Sequence, residues 1–249
     1  MPMDSIAIIG LGYVGLPLAL QFARRGVRVD GLDIDPAKTE ALNAGRSYIA
    51  HIRGEEVESR REAGLFEAST DFSRVARAEA VILCVPTPLN AHREPDLGYV
   101  LDTGRAIAPH LRKGALVVLE STTYPGTTDT KLRAALEAGS GMKAGADFHL
   151  AFSPEREDPG NPESRVESIP KIIGGLTPAC LEKAVALYAK AVATPVAVGS
   201  CRVAEATKLL ENIFRSVKVV FDFSGFTAPL VDTRNAVAPG MRPVAYFKA

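Results

Sequence analysis

The segment Ile6-Ala7-Ile8-Ile9-Gly10-Leu11-Gly12-Tyr13-Val14-Gly15 constrains this chain more than any other. Four apolar residues read as a buried strand, and Gly-x-Gly-x-x-Gly then leads into a helical pattern. The first glycine permits a tight turn, the second lets the backbone approach a pyrophosphate, and the third lets helix and strand pack closely. Leu11, Tyr13 and Val14 complete the loop, whose N–H groups lie at a helix N-terminus, where the dipole and unpaired donors favour an anion. An acid, Asp33, closes the next apolar stretch, about twenty residues past the fingerprint. Its carboxylate is placed to accept both hydroxyls of an adenosine ribose and to repel a 2′-phosphate, so the pattern implies NAD rather than NADP. A glycine-rich turn without a ligand is the competing reading, and it leaves the preceding strand, the following helix and the acid without a reason.

Beyond this unit, apolar runs alternate with amphipathic stretches. A helix is expected from Val14 to Arg25 and another from Pro36 to about Ala44. A short strand follows at Glu67 to Ser69, then a helical turn capped by Asp71 and a buried strand from Ala80 to Val85. Leu97 to His110 reads as helix, Ala115 to Leu119 as strand, Thr127 to Ala138 as helix and His149 to Phe152 as strand. Lys171 to Ile173, Pro178 to Ala191 and Pro195 to Val198 continue as strand, helix and strand. Such alternation implies right-handed βαβ crossovers and an α/β fold, a doubly wound, mostly parallel Rossmann-type sheet. The expected organisation is a dinucleotide-binding domain over 1–200, the start of a long central helix over 201–220 and a short C-terminal remnant over 221–249. On that helix Val203, Ala206, Leu210, Ile213 and Val217 form an apolar stripe, with Lys208, Asn212 and Arg215 on another face.

The 29 basic and 29 acidic residues balance, so no long-range field steers nucleic acid or an anionic membrane, and neither is expected as a partner. No apolar run approaches the length of a membrane span and Met1-Pro2-Met3-Asp4 carries no basic leader, which predicts a cytoplasmic protein. Cys84, Cys180 and Cys201 are odd in number and lack paired spacing, so neither a disulfide framework nor a metal site is expected.

Three polar segments follow buried strands: Val85-Pro86-Thr87-Pro88, Glu120-Ser121-Thr122-Thr123 and Ser153-Pro154-Glu155-Arg156-Glu157-Asp158. In open parallel sheets ligands bind at the carboxyl ends of strands, so all three should meet in one cleft. Taken singly, Thr87 and Ser121 read equally as turn and cap residues, and Glu155, Glu157 and Asp158 as a solvated charged loop.

Together with Ser47-Tyr48-Ile49-Ala50-His51-Ile52, Arg93-Glu94-Pro95-Asp96-Leu97 and Glu120 to Thr128, these segments make the chain resemble the nucleotide-sugar 6-dehydrogenases, the UDP-glucose/GDP-mannose dehydrogenase family. The branch acting on UDP-N-acetylglucosamine is the most similar. The resemblance runs from Ile6 to about Val217. It implies oxidation of a UDP-sugar's C6 alcohol to a carboxylate in two NAD-dependent hydride transfers, through a thiohemiacetal and a thioester on a cysteine. It also implies roles: Gly10, Gly12 and Gly15 at the pyrophosphate, Asp33 and Lys38 at the adenosine ribose, and Thr87, Ser121 and Thr122 on the nicotinamide side. Thr122 would also hold a catalytic water, Glu155 would serve as acid/base, and Glu157 or Asp158 would touch NAD. Lys208 and Asn212 resemble the family's Lys and Asn pair, which share a helix face at i,i+4 and would stabilise an alkoxide and hold a sugar hydroxyl. Without the resemblance Lys208 reads as a solvated helix lysine.

The family's next segment, carrying a Gly-Gly-His-Cys-x-Pro-x-Asp loop with the nucleophile, is absent. After Val217 the text passes to Phe221-Asp222-Phe223 and then to Leu230-Val231-Asp232-Thr233-Arg234, which resembles the family's C-terminal end. Arg234 matches a substrate-contacting position. The chain thus reads as the family's two ends joined, with full activity impaired and a homo-oligomer expected from the exposed helix face. Cys84 reads as core, and Cys201, at a helix N-terminus that would lower its thiol pKa, is the one candidate substitute nucleophile. The alternatives are a non-catalytic NAD-binding remnant of such an enzyme and an unrelated Rossmann oxidoreductase using Lys208 or Glu155 as base; the specific motifs oppose the second.

Overall fold

The computed structural model of the chain describes residues 3–89, 95–155, 170–216, 220–221 and 242–243. Eight strands build one sheet: β1 (Ser5–Ile9), β2 (Arg28–Leu32), β3 (Phe66–Ser69), β4 (Ala80–Leu83), β5 (Leu116–Leu119), β6 (His149–Phe152), β7 (Lys171–Gly175) and β8 (Pro195–Val198). Their spatial order is β3-β2-β1-β4-β5-β6-β7-β8. All neighbours run parallel except β6 and β7, which are antiparallel.

Seven helices cover the sheet or follow it: α1 (Gly15–Arg24), α2 (Pro36–Asn43), α3 (Gly54–Glu62), α4 (Gly98–Ile107), α5 (Arg133–Ser140), α6 (Pro178–Tyr188) and α7 (Cys201–Ser216). Strands β4 and β5 are apolar and buried at every position, as expected with both faces covered. On one face Ile6, Ile8, Val29, Ile82 and Val118 pack with Leu16, Leu20 and Phe22 of α1 and with Leu187 and Tyr188 of α6. On the other, Ala7, Ile9, Val81 and Val117 meet Val100 and Ile107 of α4 and Leu136 of α5. This is the doubly wound Rossmann-type sheet that the alternation implies.

Several element starts follow from local chemistry. Asp35 caps α2 by accepting the Ala37 N–H at 2.9 Å, with Pro36 in the first turn. Thr177 accepts the Cys180 N–H at 3.2 Å and Pro178 opens α6. The Asp71 cap is present, yet it opens a 3-10 turn, Phe72–Arg77, rather than an α-helix. Thr127–Leu132 likewise winds as a π-helix before α5 begins. Helix α3 escaped the sequence reading: only Val57 of its nine residues is buried, so it has no apolar period. Glu55 and Glu56 in its first turn and Arg60 and Arg61 in its last complement the helix dipole instead.

By its internal contacts the chain divides into two compact units, Met1–Glu205 and Ala206–Ala249, with the boundary inside α7. Val203, Leu210 and Ile213 of the expected stripe are exposed, whereas Cys201, Ala204, Glu205 and Lys208 are buried. Val217 lies outside the described residues, as do Leu230 to Ala236. The second unit also holds a short antiparallel pair, β9 (Val220–Phe221) with β10 (Arg242–Pro243).

Within the first unit, Glu205 fastens the start of α7 to the loop after β5. Its carboxylate accepts the Gly126 N–H at 2.7 Å, the Thr128 N–H at 2.9 Å and the Thr128 hydroxyl at 2.7 Å. Gly126 has φ +97°, a conformation that favours glycine, and this turns its N–H toward the acid. Burial raises the Glu205 pKa, while these three donors oppose the rise. Glu205→Ala leaves them without their acceptor and should lower the unfolding free energy by about 2–3 kcal/mol. Urea denaturation checks this, with wild-type stability in the variant as the contrary result.

Candidate cofactor site

Gly10, Gly12, Tyr13, Val14, Asp33, Lys38, Thr87, Ser121, Thr122 and Glu155 line a single cavity of about 460 Å³. They come from the segments that follow β1, β2, β4, β5 and β6, Lys38 from the first turn of α2, all at carboxyl ends of parallel strands, and the sheet order reverses direction between β1 and β4. Four strand spacings separate β2 from β6, about 19 Å, which suits a dinucleotide laid across the strand ends.

Glycines shape the floor. Gly10 has φ +90°, and a Cβ there would lie 2.7 Å from the Cys84 carbonyl oxygen. A Cβ at Gly15 would fall on the Gly10 carbonyl oxygen. Gly15 is therefore buried behind the cavity, as is the Leu11 side chain. Gly12 differs: a Cβ on it would meet no protein atom within 4 Å and would enter the open space of the cavity. Helix α1 has no side-chain cap and no acid in its first turn, so its N-terminus keeps its positive end toward an anion. The cradle fits a pyrophosphate.

Asp33 is 5% exposed and well held. Its Oδ2 accepts the Leu11 N–H at 2.8 Å and lies 3.2 Å from Lys38 Nζ, while Oδ1 accepts the Asp35 N–H at 3.0 Å. Thr87 donates to the Thr122 carbonyl at 2.7 Å and Ser121 to the Val85 carbonyl at 2.6 Å. Both hydroxyl protons thus stitch the loops after β4 and β5 together, leaving oxygen lone pairs for a ligand. Thr122 is exposed in the cavity wall.

A buried charged group that sequence reasoning missed stands behind Glu155. Lys171 Nζ lies 2.7 Å from Glu120 and 3.6 Å from Glu155, and Tyr188 donates its hydroxyl to Glu120. Burial raises the Glu120 pKa against the opposing pull of Lys171. For Lys171 burial works against the charge, but Glu120 and Glu155 outweigh it and hold the ammonium above the usual lysine range. Burial and then Glu120 push the Tyr188 phenol well up. The available signal was Lys171 itself, a cation opening the otherwise apolar strand Lys171-Ile172-Ile173.

The remaining expected site residues divide by position. Lys208 and Asn212 lie four residues apart on α7 in the second unit, where Lys208 Nζ is 3.9 Å from Glu211. Glu157, Asp158 and Arg234 lie outside the described residues. Cys201 is corrected: it does open α7, but it is 1% exposed, with Sγ 3.5 Å from the Gly174 carbonyl oxygen. Burial pushes its thiol up to about 12, with Glu205 and Asp129 adding to the rise, so it is no activated nucleophile. Cys84 lines the cavity, and burial raises its thiol well above the ordinary value. No group of metal-ligating side chains and no helix long and apolar enough to cross a membrane occurs among the described residues.

Residues 4–192 match the NAD-binding domain of the UDP-glucose/GDP-mannose dehydrogenase family. The chain belongs to this family. It is 37% identical over 228 residues to UDP-N-acetyl-D-mannosamine dehydrogenase of Escherichia coli, covering 89% of this chain and 54% of that one. It is 35% identical over 216 residues to UDP-N-acetyl-D-glucosamine 6-dehydrogenase of Pseudomonas aeruginosa, covering 86% and 50%. Among solved structures, the NDP-N-acetyl-D-galactosaminuronic acid dehydrogenase of Methanosarcina mazei superposes with a TM-score of 0.79 at 36% identity, covering 86% of this chain and 48% of that one. The chain thus spans about half the length of the curated relatives it matches, and the family's cofactor is NAD.

The Lys171 cluster carries a stability test. Lys171→Met strands two carboxylates and should cost about 3–5 kcal/mol at neutral pH. Because the folded lysine pKa is raised, its contribution is complete below the ordinary value of about 10.4 and is lost as pH climbs through the raised one. Urea unfolding from pH 7 to 11 should show a constant gap between wild type and variant up to about pH 10 that begins to narrow above it; a gap that narrows below pH 10 or stays unchanged at pH 11 would contradict the pairing.

Proposed function

We propose that this chain is the cofactor-binding part of an NAD-dependent dehydrogenase that oxidises the C6 alcohol of a UDP-N-acetylhexosamine. One observation carries the reading: a single cavity gathers the glycine loop and Asp33 at one end of the strand row and Thr122 and Glu155 at the other. Both named curated relatives act, by their names, on UDP-N-acetylhexosamines, which favours that substrate class.

When bound, NAD supplies the hydride acceptor. The chain's own groups do the rest of the work in this reading. Asp33, with Lys38 beside it, accepts the ribose hydroxyls, and the Gly12 region and the N-terminus of α1 receive the pyrophosphate. Thr87 and Ser121, fixed by their backbone bonds, line the nicotinamide side, and Thr122 offers its hydroxyl to a water. Glu155, held in reach of Lys171, takes a proton from the water or the sugar hydroxyl. Lys208 would stabilise a developing alkoxide and Asn212 a sugar hydroxyl, while Glu157 and Arg234 would contact cofactor and substrate.

Oxidation to the acid requires a second hydride transfer from a covalent or hydrated aldehyde. None of the three cysteines suits the covalent route: Cys180 is fully buried, and the Cys84 and Cys201 thiols are raised. The 249-residue chain by itself therefore binds NAD without completing the four-electron oxidation.

Calorimetric titration tests the cofactor half. NAD should bind in preference to NADP, and Asp33→Ala should weaken NAD by about 1–3 kcal/mol; equal affinity for the two cofactors would remove the ribose role from Asp33. Mass spectrometry after incubation with NAD and UDP-N-acetylglucosamine or UDP-N-acetylmannosamine tests the other half. No uronic acid is expected, and its appearance with two NADH per sugar would overturn the limit placed on this chain.

A further inference from the structure

Tyr48 belongs to the segment Ser47-Tyr48-Ile49-Ala50-His51-Ile52, which none of the roles above absorbs. Its hydroxyl donates to the Leu11 carbonyl oxygen at 2.5 Å, across 37 residues of sequence. The N–H of the same residue is taken by Asp33 Oδ2 at 2.8 Å. Leu11 is therefore gripped at both of its backbone polar atoms, by a loop residue on one side and by the ribose acid on the other.

The consequence falls on the next peptide unit. Every described peptide is trans, and in a planar trans peptide the C=O of Leu11 and the N–H of Gly12 point in opposite directions. Tyr48 lies outside the cavity lining, whereas Gly12 is part of it. Drawing the Leu11 oxygen toward Tyr48 thus turns the Gly12 N–H the other way, at the uncapped end of α1 where a Cβ would meet only open space. We propose that Tyr48 is a positioning residue for the pyrophosphate: it locks the Leu11–Gly12 peptide so that the Gly12 N–H is presented to the phosphate before the cofactor arrives.

The proposal rests on the NAD site and adds to it a residue that touches no cofactor. Tyr48 suits the task chemically. Burial, with Asp33 and Asp35 adding their charge, raises its phenol far above the ordinary value, so the hydroxyl keeps its proton and remains a donor. Tyr48 is 38% exposed and not a core residue, so Tyr48→Phe removes the donor without emptying the core. Loss of the donor lets the peptide rotate, and part of the binding energy is then spent on orienting it.

The test separates phosphate from nucleoside. In Tyr48→Phe, ADP-ribose and NAD should each bind about tenfold more weakly, one hydrogen bond's worth of orientation, while adenosine affinity stays at the wild-type value. Equal weakening of adenosine and ADP-ribose would mean a general structural role, and unchanged ADP-ribose binding would mean none; either overturns the proposal. A wild-type chain that binds neither NAD nor ADP-ribose would overturn the cofactor site itself, a different failure. A second measurement needs no variant: in the wild-type amide spectrum the Gly12 proton should move downfield with ADP-ribose and stay in place with adenosine. A Gly12 signal indifferent to ADP-ribose would count against it.

Discussion

Helix α1 approaches the sheet so closely that a side chain at Gly15 would fall on the Gly10 carbonyl oxygen, and one at Gly10 would crowd the Cys84 carbonyl at 2.7 Å. These missing Cβ atoms fix where the helix starts, and its start fixes where a phosphate can sit. The β1 loop is then drawn against the end of β4, where the strand order reverses and a crevice opens. Asp33 ties the arrangement to β2 through the Leu11 N–H, and Thr87 and Ser121 tie the β4 loop to the β5 loop. Each of these is a side-chain bond to backbone, so the loop geometry is fixed within the protein itself.

Buried charge at the other end of the cavity follows a different logic. A lone lysine or glutamate at the burial of Lys171 and Glu120 would change its protonation state rather than remain charged. Here the short Lys171–Glu120 pair, the Tyr188 hydroxyl and the second carboxylate of Glu155 satisfy the cluster together. Such a cluster is weak evidence of stability against an apolar replacement, because desolvation offsets most of the attraction. What it does supply is a fixed reference for Glu155: Lys171 on β7, the strand that pairs antiparallel with β6.

Where the physics is periodic or local, the sequence was readable. Strands β6 and β8 fall where the apolar runs place them, and the fingerprint loop, Asp33, Thr87, Ser121, Thr122 and Glu155 do share a cavity. Helix α3 was not readable because its stability comes from end charges and one valine, not from an apolar stripe. The π-helical start of the segment at Thr127 was not readable either; the Thr128 N–H there goes to Glu205, 77 residues away, a partner that local pattern does not reveal. Lys171, Tyr188 and Tyr48 share that difficulty: each acts through a partner distant in sequence, and a single sequence carries no sign of the pairing. Cys201 shows the converse error. Its place at a helix N-terminus was right, but burial against β7 raises the thiol and overrides the dipole.

The cavity also bears on what a cofactor domain can do alone. Its described lining residues all belong to the first unit, most of them in the segments after β1, β2, β4, β5 and β6 and in α4. Turnover asks for more. In the proposed reaction, the energy that brings a C6 alcohol to near-attack distance would come largely from remote parts of the nucleotide sugar, and a site that holds only the reacting end has little to spend on orientation. In the proposed reading, cofactor affinity and sugar oxidation are therefore separable, the first resting on Gly10, Gly12, Gly15 and Asp33 and the second on whatever holds the nucleotide of the sugar.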